Sequence, residues 1–254
     1  MKLIFASGNA GKLHEAGEIL ASFDVLSPLQ AGLGPEALEV EENGSSFEEN
    51  SRIKAEHLWN LLGNGSATDN GFAVFADDSG LEVDALGGAP GIYTARYSTI
   101  EVCQPSAADI RYRHARARSK NCVCSHSADK PVSETQISAS LQSGGTDRNS
   151  ANIAKLLSEL QRTGAMTPEQ RRARFVCAVT IILPDGVRCF RGTCEGHIAL
   201  EPVGNGGFGY DPVFVADAFP GRTLAQLPDE DKNSISHRGE ALGKMAAWLR
   251  QHNL

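Results

Sequence analysis

Two adjacent carboxylates, Asp77 and Asp78, follow the apolar run Phe72, Ala73, Val74, Phe75 and Ala76, and Ser79 and Gly80 come next. The run reads as a buried strand, and side chains alternate faces along a strand. Just past a strand end, the two carboxylates would diverge, one toward a metal and one toward a water. Carboxylate oxygens suit Mg²⁺, and a carboxylate can also serve as a general base. Ser79-Gly80 reads as a turn offering backbone amides at the same point. Taken alone, Asp-Asp-Ser-Gly is equally well an acidic loop after a strand. Four other segments change that weighting.

The first is at the N-terminus. Residues 2–6 read as a strand, Ser7, Gly8, Asn9, Ala10, Gly11 and Lys12 follow, and Leu13, Ala16, Gly17 and Leu20 recur at helical spacing. A strand, a Gly-containing loop and a helix N-terminus can point amides at a phosphate. Lys12 in the first turn opposes the helix dipole unless an anion is near. The spacing is neither a Walker loop nor Gly-x-Gly-x-x-Gly. A plain helix cap by Ser7 or Asn9 fits the segment as well as a phosphate site does.

The second segment is Glu41 to Asn50. Ser45 with Glu48, or Ser46 with Glu49, opens a helix by a capping box, and the helix runs to about Leu62. Ala55, Leu58, Trp59 and Leu62 form its apolar stripe, and Asn50 and Lys54 share a face. Glu41 and Glu42 precede the helix and can reach a metal. The third segment, Gly204 to Pro212, places glycines around Phe208, Gly209, Tyr210 and Asp211. Phe208 can stack on a base and Asp211 can accept hydrogen bonds, although a tight turn with a core Phe fits too. The fourth holds Lys232, Ser236, His237, Arg238 and Gly239. His and Arg at a helix start can donate to carbonyl or phosphate oxygens.

Six motifs occur in order: Ser-Gly-Asn-x-Gly-Lys (7–12), Ser-Phe-x-Glu-Asn-x-x-x-Lys-Ala (46–55), Ala-Asp-Asp-Ser-Gly-Leu (76–81), Gly-Gly-Ala-Pro-Gly-Ile-Tyr-x-Ala-Arg-Tyr (87–97), Gly-Gly-Phe-Gly-Tyr-Asp-Pro (206–212) and Ile-Ser-His-Arg-Gly (235–239). Together they closely resemble the inosine/xanthosine triphosphate pyrophosphatase family (Ham1-like), which removes non-standard purine nucleotides. The resemblance covers nearly the whole chain except roughly residues 99–145.

The resemblance implies a Mg²⁺-dependent hydrolysis of inosine, deoxyinosine and xanthosine triphosphates to monophosphate and pyrophosphate. It implies that residues 7–12 bind the triphosphate and that Lys54 sits near the phosphates. Asp78 is then the general base and a metal contact, Asp77 beside it is a further metal ligand, and Glu42 is the metal-binding glutamate. Ser79 is implied as a substrate contact, residues 208–211 as the base-binding loop, and Lys232, His237 and Arg238 as the base-recognition residues. The implied fold is an α/β long twisted mixed sheet, with two lobes and a cleft between them. Homodimers are common in the family. Hydrolysis of other nucleotides, and nucleotide binding without catalysis, are the alternative readings. The set Glu42, Asp77, Asp78 and Lys12 favours an enzyme.

Composition fits a soluble, cytoplasmic enzyme. The chain has 254 residues and a formal net charge of −7, enough for one domain with a sizeable core. The acidic balance argues against a nucleic-acid polymer as partner. No apolar run approaches membrane-spanning length, and the run at 2–6 is too short for a signal peptide. Six cysteines at this length do not read as a disulfide framework, and Cys177, Cys189 and Cys194 fall in strand-like runs where buried thiols are ordinary. Pro184-Asp185-Gly186 between two β-type runs, 174–183 and 187–194, predicts a hairpin. A final helix is expected at about 240–251. Residues 99–145 read as an atypical, flexible insertion with a basic run at Arg111, Arg113, Arg116, Arg118 and Lys120. Its Cys122, Cys124, His114 and His126 fit no standard zinc-finger spacing.

Overall fold

The computed structural model describes residues 1–63, 71–100 and 145–254. The basic run and the Cys/His set of the insertion lie outside them. One mixed sheet organises the chain: β1 (Lys2–Phe5), β2 (Asp24–Leu26), β3 (Phe72–Val83), β4 (Pro90–Gly91), β5 (Arg172–Leu183), β6 (Gly186–Ile198) and β7 (Phe214–Ala216). The order is β2-β1-β3-β5-β6-β7, with β4 on β3. β2, β1 and β3 run parallel; β3, β5, β6 and β7 pair antiparallel. The helices are α1 (Ala10–Ile19), α2 (Phe47–Leu61), α3 (Gly145–Thr163), α4 (Asp229–Ser234) and α5 (His237–Gln251).

Alternation along β3 assigns its two faces. Phe75 packs with Leu3, Phe5, Ala16 and Leu20 and with Leu242, Met245 and Leu249 of α5. Val74 and Ala76 pack on the other face with Ile4, Ala55 and Leu58 of α2. Farther along, Leu81 and Val83 join Leu156 and Leu160 of α3 with Ile198 and Phe214. The two apolar clusters that share the Phe75 face therefore sit at opposite ends of β3, and residues 77–80 lie between them.

The strand does not stop at the carboxylates. β3 continues through Asp77, Asp78, Ser79 and Gly80 to Val83, and Asp77 and Asp78 pair with Val179 and Ala178 of β5. The expected strand end and Ser79-Gly80 turn are thus replaced by mid-strand positions. Along the other edge, β1 ends opposite Phe75, and β4 pairs only from Leu81 onward. The carboxylates emerge in this break between strand partners. Gly80 is needed for close approach: a Cβ there would meet Thr94 Oγ1 at 2.5 Å and Gly91 O at 2.7 Å.

The hairpin forms as expected, with Leu183 paired to Gly186. The last helix starts at His237 rather than at 240, because Ser236 caps it by accepting from Gly239 N. Cys177 and Cys194 are buried, whereas Cys189 is exposed.

Candidate active site

β1 delivers the loop at 7–9 to the break in the sheet. Asn9 caps α1 by accepting from Lys12 N (3.1 Å), and Ser7 Oγ accepts from Asn9 N (3.2 Å). The capping reading of this loop holds: Asn9 takes up the Lys12 N–H, and the Lys12 side chain reaches back to the sheet. Lys12 Nζ lies 2.9 Å from Asp77 Oδ2. On the same face, Arg238 Nε donates to Asp77 Oδ2 (3.0 Å), and so does Ser79 Oγ (3.2 Å). The Asp77 side chain is 2% exposed. Burial alone would raise its pKa, but Lys12 and Arg238 override that and hold it well below the usual carboxylate range.

Asp78 points to the α2 face. Lys54 Nζ donates to Asp78 Oδ1 (3.0 Å) and to Glu42 Oε2 (3.2 Å), while Asn50 Nδ2 donates to Asp78 Oδ2 (3.2 Å). Burial raises the Asp78 pKa, and the Lys54 ammonium only partly offsets it. Lys54 is itself disfavoured by burial, yet Asp78 and Glu42 raise its pKa and keep it charged. The start of α2 fixes these positions. Ser46 Oγ accepts from Glu49 N, and Glu49 Oε2 accepts from Ser45 N and Oγ. The capping box is thus split across the two serines.

Glu42, Asp77 and Asp78 are not gathered around one point. Among the described residues, no group of three or more His, Cys, Asp or Glu side chains is placed to hold a metal ion. Asp77 faces away and is satisfied by cations. Glu42 and Asp78 do converge, since both reach one ammonium. Two hard carboxylate donors suit Mg²⁺, which commonly takes one or two carboxylates and completes its shell with substrate phosphates and water.

The residues expected on the base side form a second group. Phe208 is 76% exposed at the tip of a Gly-rich loop. Asp211 is buried and accepts from Phe208 N (3.0 Å), and Lys232 Nζ lies 3.7 Å from it. Gly207 has φ +76°, and a Cβ there would meet Asp211 Oδ2 at 2.0 Å. Gly209 also takes a positive φ. The Tyr210 side chain turns inward instead: it is 3% exposed, and its hydroxyl donates to Thr94 O (3.1 Å). His237 stacks on Phe175 with ring centroids 5.2 Å apart. Burial first, then the Arg238 charge, pushes its pKa down to about 3. It is therefore neutral near pH 7, with one ring nitrogen donating and one accepting.

Two further residues hold the site together. Glu15 accepts from Arg238 Nη1 and from Ser236 Oγ, both at 2.6 Å, and so ties α1 to the start of α5. Its only local signal is the i,i+3 spacing from Lys12. Asn50 is the other. No helix among the described residues is long and apolar enough to cross a membrane.

The site is thus a break in the mixed sheet of an α/β protein, with a carboxylate on each face and a lysine on each carboxylate. The Ham1 family profile matches residues 3–139 and 135–248, and the chain belongs to the Ham1 family. It is 36% identical over 251 residues to the dITP/XTP pyrophosphatase of Treponema denticola, covering 98% of this chain and 99% of that protein. It is 37% identical over 254 residues to the dITP/XTP pyrophosphatase of Bacillus licheniformis, covering 98% of each. The solved Staphylococcus aureus Ham1 protein superposes with a TM-score of 0.68 at 33% identity, covering 99% of this chain and 100% of that one. A nucleoside-triphosphatase / dITP/XTP pyrophosphatase from Mycobacterium abscessus gives 0.62 at 32% identity, covering 96% and 98%.

Proposed function

We propose that the chain hydrolyses non-standard purine nucleoside triphosphates, such as those of inosine, deoxyinosine and xanthosine, to the monophosphate and pyrophosphate. The carrying observation is the pairing of Lys12 with Asp77 and Lys54 with Asp78 on opposite faces of one strand. A triphosphate entering the break draws both ammonium groups onto its oxygens, because it carries the larger negative charge. Asp78 is then released to accept a proton from a water. That water's oxygen forms a bond to the α-phosphorus, and the bond to the bridging oxygen breaks, expelling pyrophosphate. The raised pKa of Asp78 makes it the better base of the two. Asp77, held ionised by Arg238 even when Lys12 turns to substrate, keeps the base-side helix in place.

Glu42 and Asp78 would hold Mg²⁺, which supplies charge neutralisation at the phosphates and a more acidic water. Phe208 would stack on the purine. Arg238, Lys232 and loop amides would donate to a six-position carbonyl, which adenine lacks; each donor left unpaired costs about 1–3 kcal/mol. A homodimer working in the cytoplasm is part of the same reading.

The experiment is pyrophosphate release from inosine triphosphate beside ATP and GTP, with Mg²⁺ and then with EDTA. Mg²⁺-dependent release from inosine triphosphate alone is expected. Release from none of them by folded protein overturns the reading.

A further inference from the structure

Asn50 stands on α2 one turn before Lys54 and is 2% exposed. Both ends of its amide are used. Oδ1 accepts from Gly44 N (2.9 Å), and Nδ2 donates to Asp78 Oδ2 (3.2 Å). A backbone N–H can only donate and an ionised carboxylate can only accept, so the amide has one workable orientation. Reversing it would mismatch both contacts. Gly44 makes room for this. A Cβ there would meet Asn50 Oδ1 at 2.6 Å and Glu49 Cβ at 2.8 Å. Gly44 is not among the glycines with positive φ, so close approach rather than backbone conformation calls for glycine.

The two oxygens of Asp78 are thus held in different ways. Oδ1 is bound by Lys54, a long side chain that also serves Glu42. Oδ2 is bound by a short, buried amide anchored to main chain. When a polyanion draws Lys54 away, the Asn50 bond stays. We infer that Asn50 is a positioning residue that locks the Asp78 carboxylate through Oδ2, leaving Oδ1 on the side of Lys54 and Glu42. Through Gly44, the same amide also sets the loop that carries Glu42. This rests on the hydrolase reading above.

Three variants separate this role from a merely structural one. Asn50→Ala loses both contacts. Asn50→Asp keeps an acceptor for Gly44 N but loses the donor to Asp78. Gly44→Ala pushes the amide from its far end without touching Asp78. In each, kcat for inosine triphosphate should fall about 10- to 100-fold, the scale of a roughly 1 Å misplacement. KM should stay within about twofold, because the interaction lost is one that matters in the transition state. Gly44→Ala should add little to Asn50→Ala, since both act through one amide.

Urea unfolding gives a readout independent of turnover. The stability lost on Asn50→Ala should be smaller in an Asp78→Ala background than in the wild type. Active wild type with unchanged kcat in Asn50→Ala and Asn50→Asp overturns the role of Asn50 alone, as does additivity in the unfolding cycle. A folded wild type that releases no pyrophosphate overturns the hydrolase reading, and the catalytic part of this inference with it.

Discussion

Arg238 Nε lies 3.0 Å from Asp77 Oδ2, so the helix expected to read the base is hydrogen-bonded to the strand expected to do the chemistry. The contact spans 161 positions of sequence. It makes Arg238 a shared element. One edge of the guanidinium serves Asp77, and Nη1 serves Glu15.

Arg238→Ala should therefore act on both binding and stability. Loss of base recognition predicts a larger rise in KM for inosine triphosphate than fall in kcat. Loss of Arg238 leaves Lys12 as the remaining cation on Asp77, beside the Ser79 hydroxyl, and should cost less than the about 3–5 kcal/mol of a fully unpaired buried charge. Steady-state kinetics and urea unfolding on the same sample check both. An unchanged KM removes Arg238 from the base site.

Glu15→Gln should reproduce part of that effect without touching substrate. The amide keeps an acceptor for Ser236 Oγ but loses the charge on Arg238. A smaller KM increase than in Arg238→Ala is expected, together with a lower melting temperature. Equal KM effects in the two variants would mean that Glu15 itself contacts the nucleotide.

Much of this was legible locally. The strand, loop and helix at 2–19 follow from an apolar run, an Asn cap and helical spacing. The hairpin follows from Pro184-Asp185-Gly186, and α2 from its paired serines and glutamates. The continuation of β3 was not legible, because Asp-Asp-Ser-Gly is turn chemistry to any local reading. What holds it in a strand is non-local: β5 pairs with its backbone, and cations from α1, α2 and α5 satisfy its carboxylates. The start of α5 was legible at His237 and Arg238, and Ser236 is its cap. The inward turn of Tyr210 depends on Thr94, far away in sequence, and had no local signal.

His237 makes acid stability testable. Its folded pKa is about 3, against an ordinary value of 6.5. The unfolded chain therefore binds a proton between those values that the folded chain does not. The stabilisation is full above about pH 6.5 and is lost as pH falls toward 3, by up to about 1.4 kcal/mol per pH unit. His237→Gln should flatten the pH dependence of urea midpoints across that window. An unchanged slope would mean that the ring is protonated in the folded protein.

Gly192 fixes how α5 meets the sheet. A Cβ there would lie 2.1 Å from His237 O and 2.6 Å from Ala241 N, both main chain. Gly192→Ala should cost about 3 kcal/mol or more in urea unfolding, because neither atom can move without shifting the helix. A change below about 0.5 kcal/mol, the scale of ordinary surface substitutions, would mean that the helix start is not seated as described.

The proposed hydrolysis stands on Asp78 as the base. The direct measurement is pyrophosphate release from inosine triphosphate by Asp78→Asn beside wild type, with nucleotide binding measured on the same samples. Loss of about 10²- to 10⁴-fold in kcat with binding retained is predicted, since the amide keeps the shape and removes the base. Turnover equal to wild type would remove Asp78 from that role.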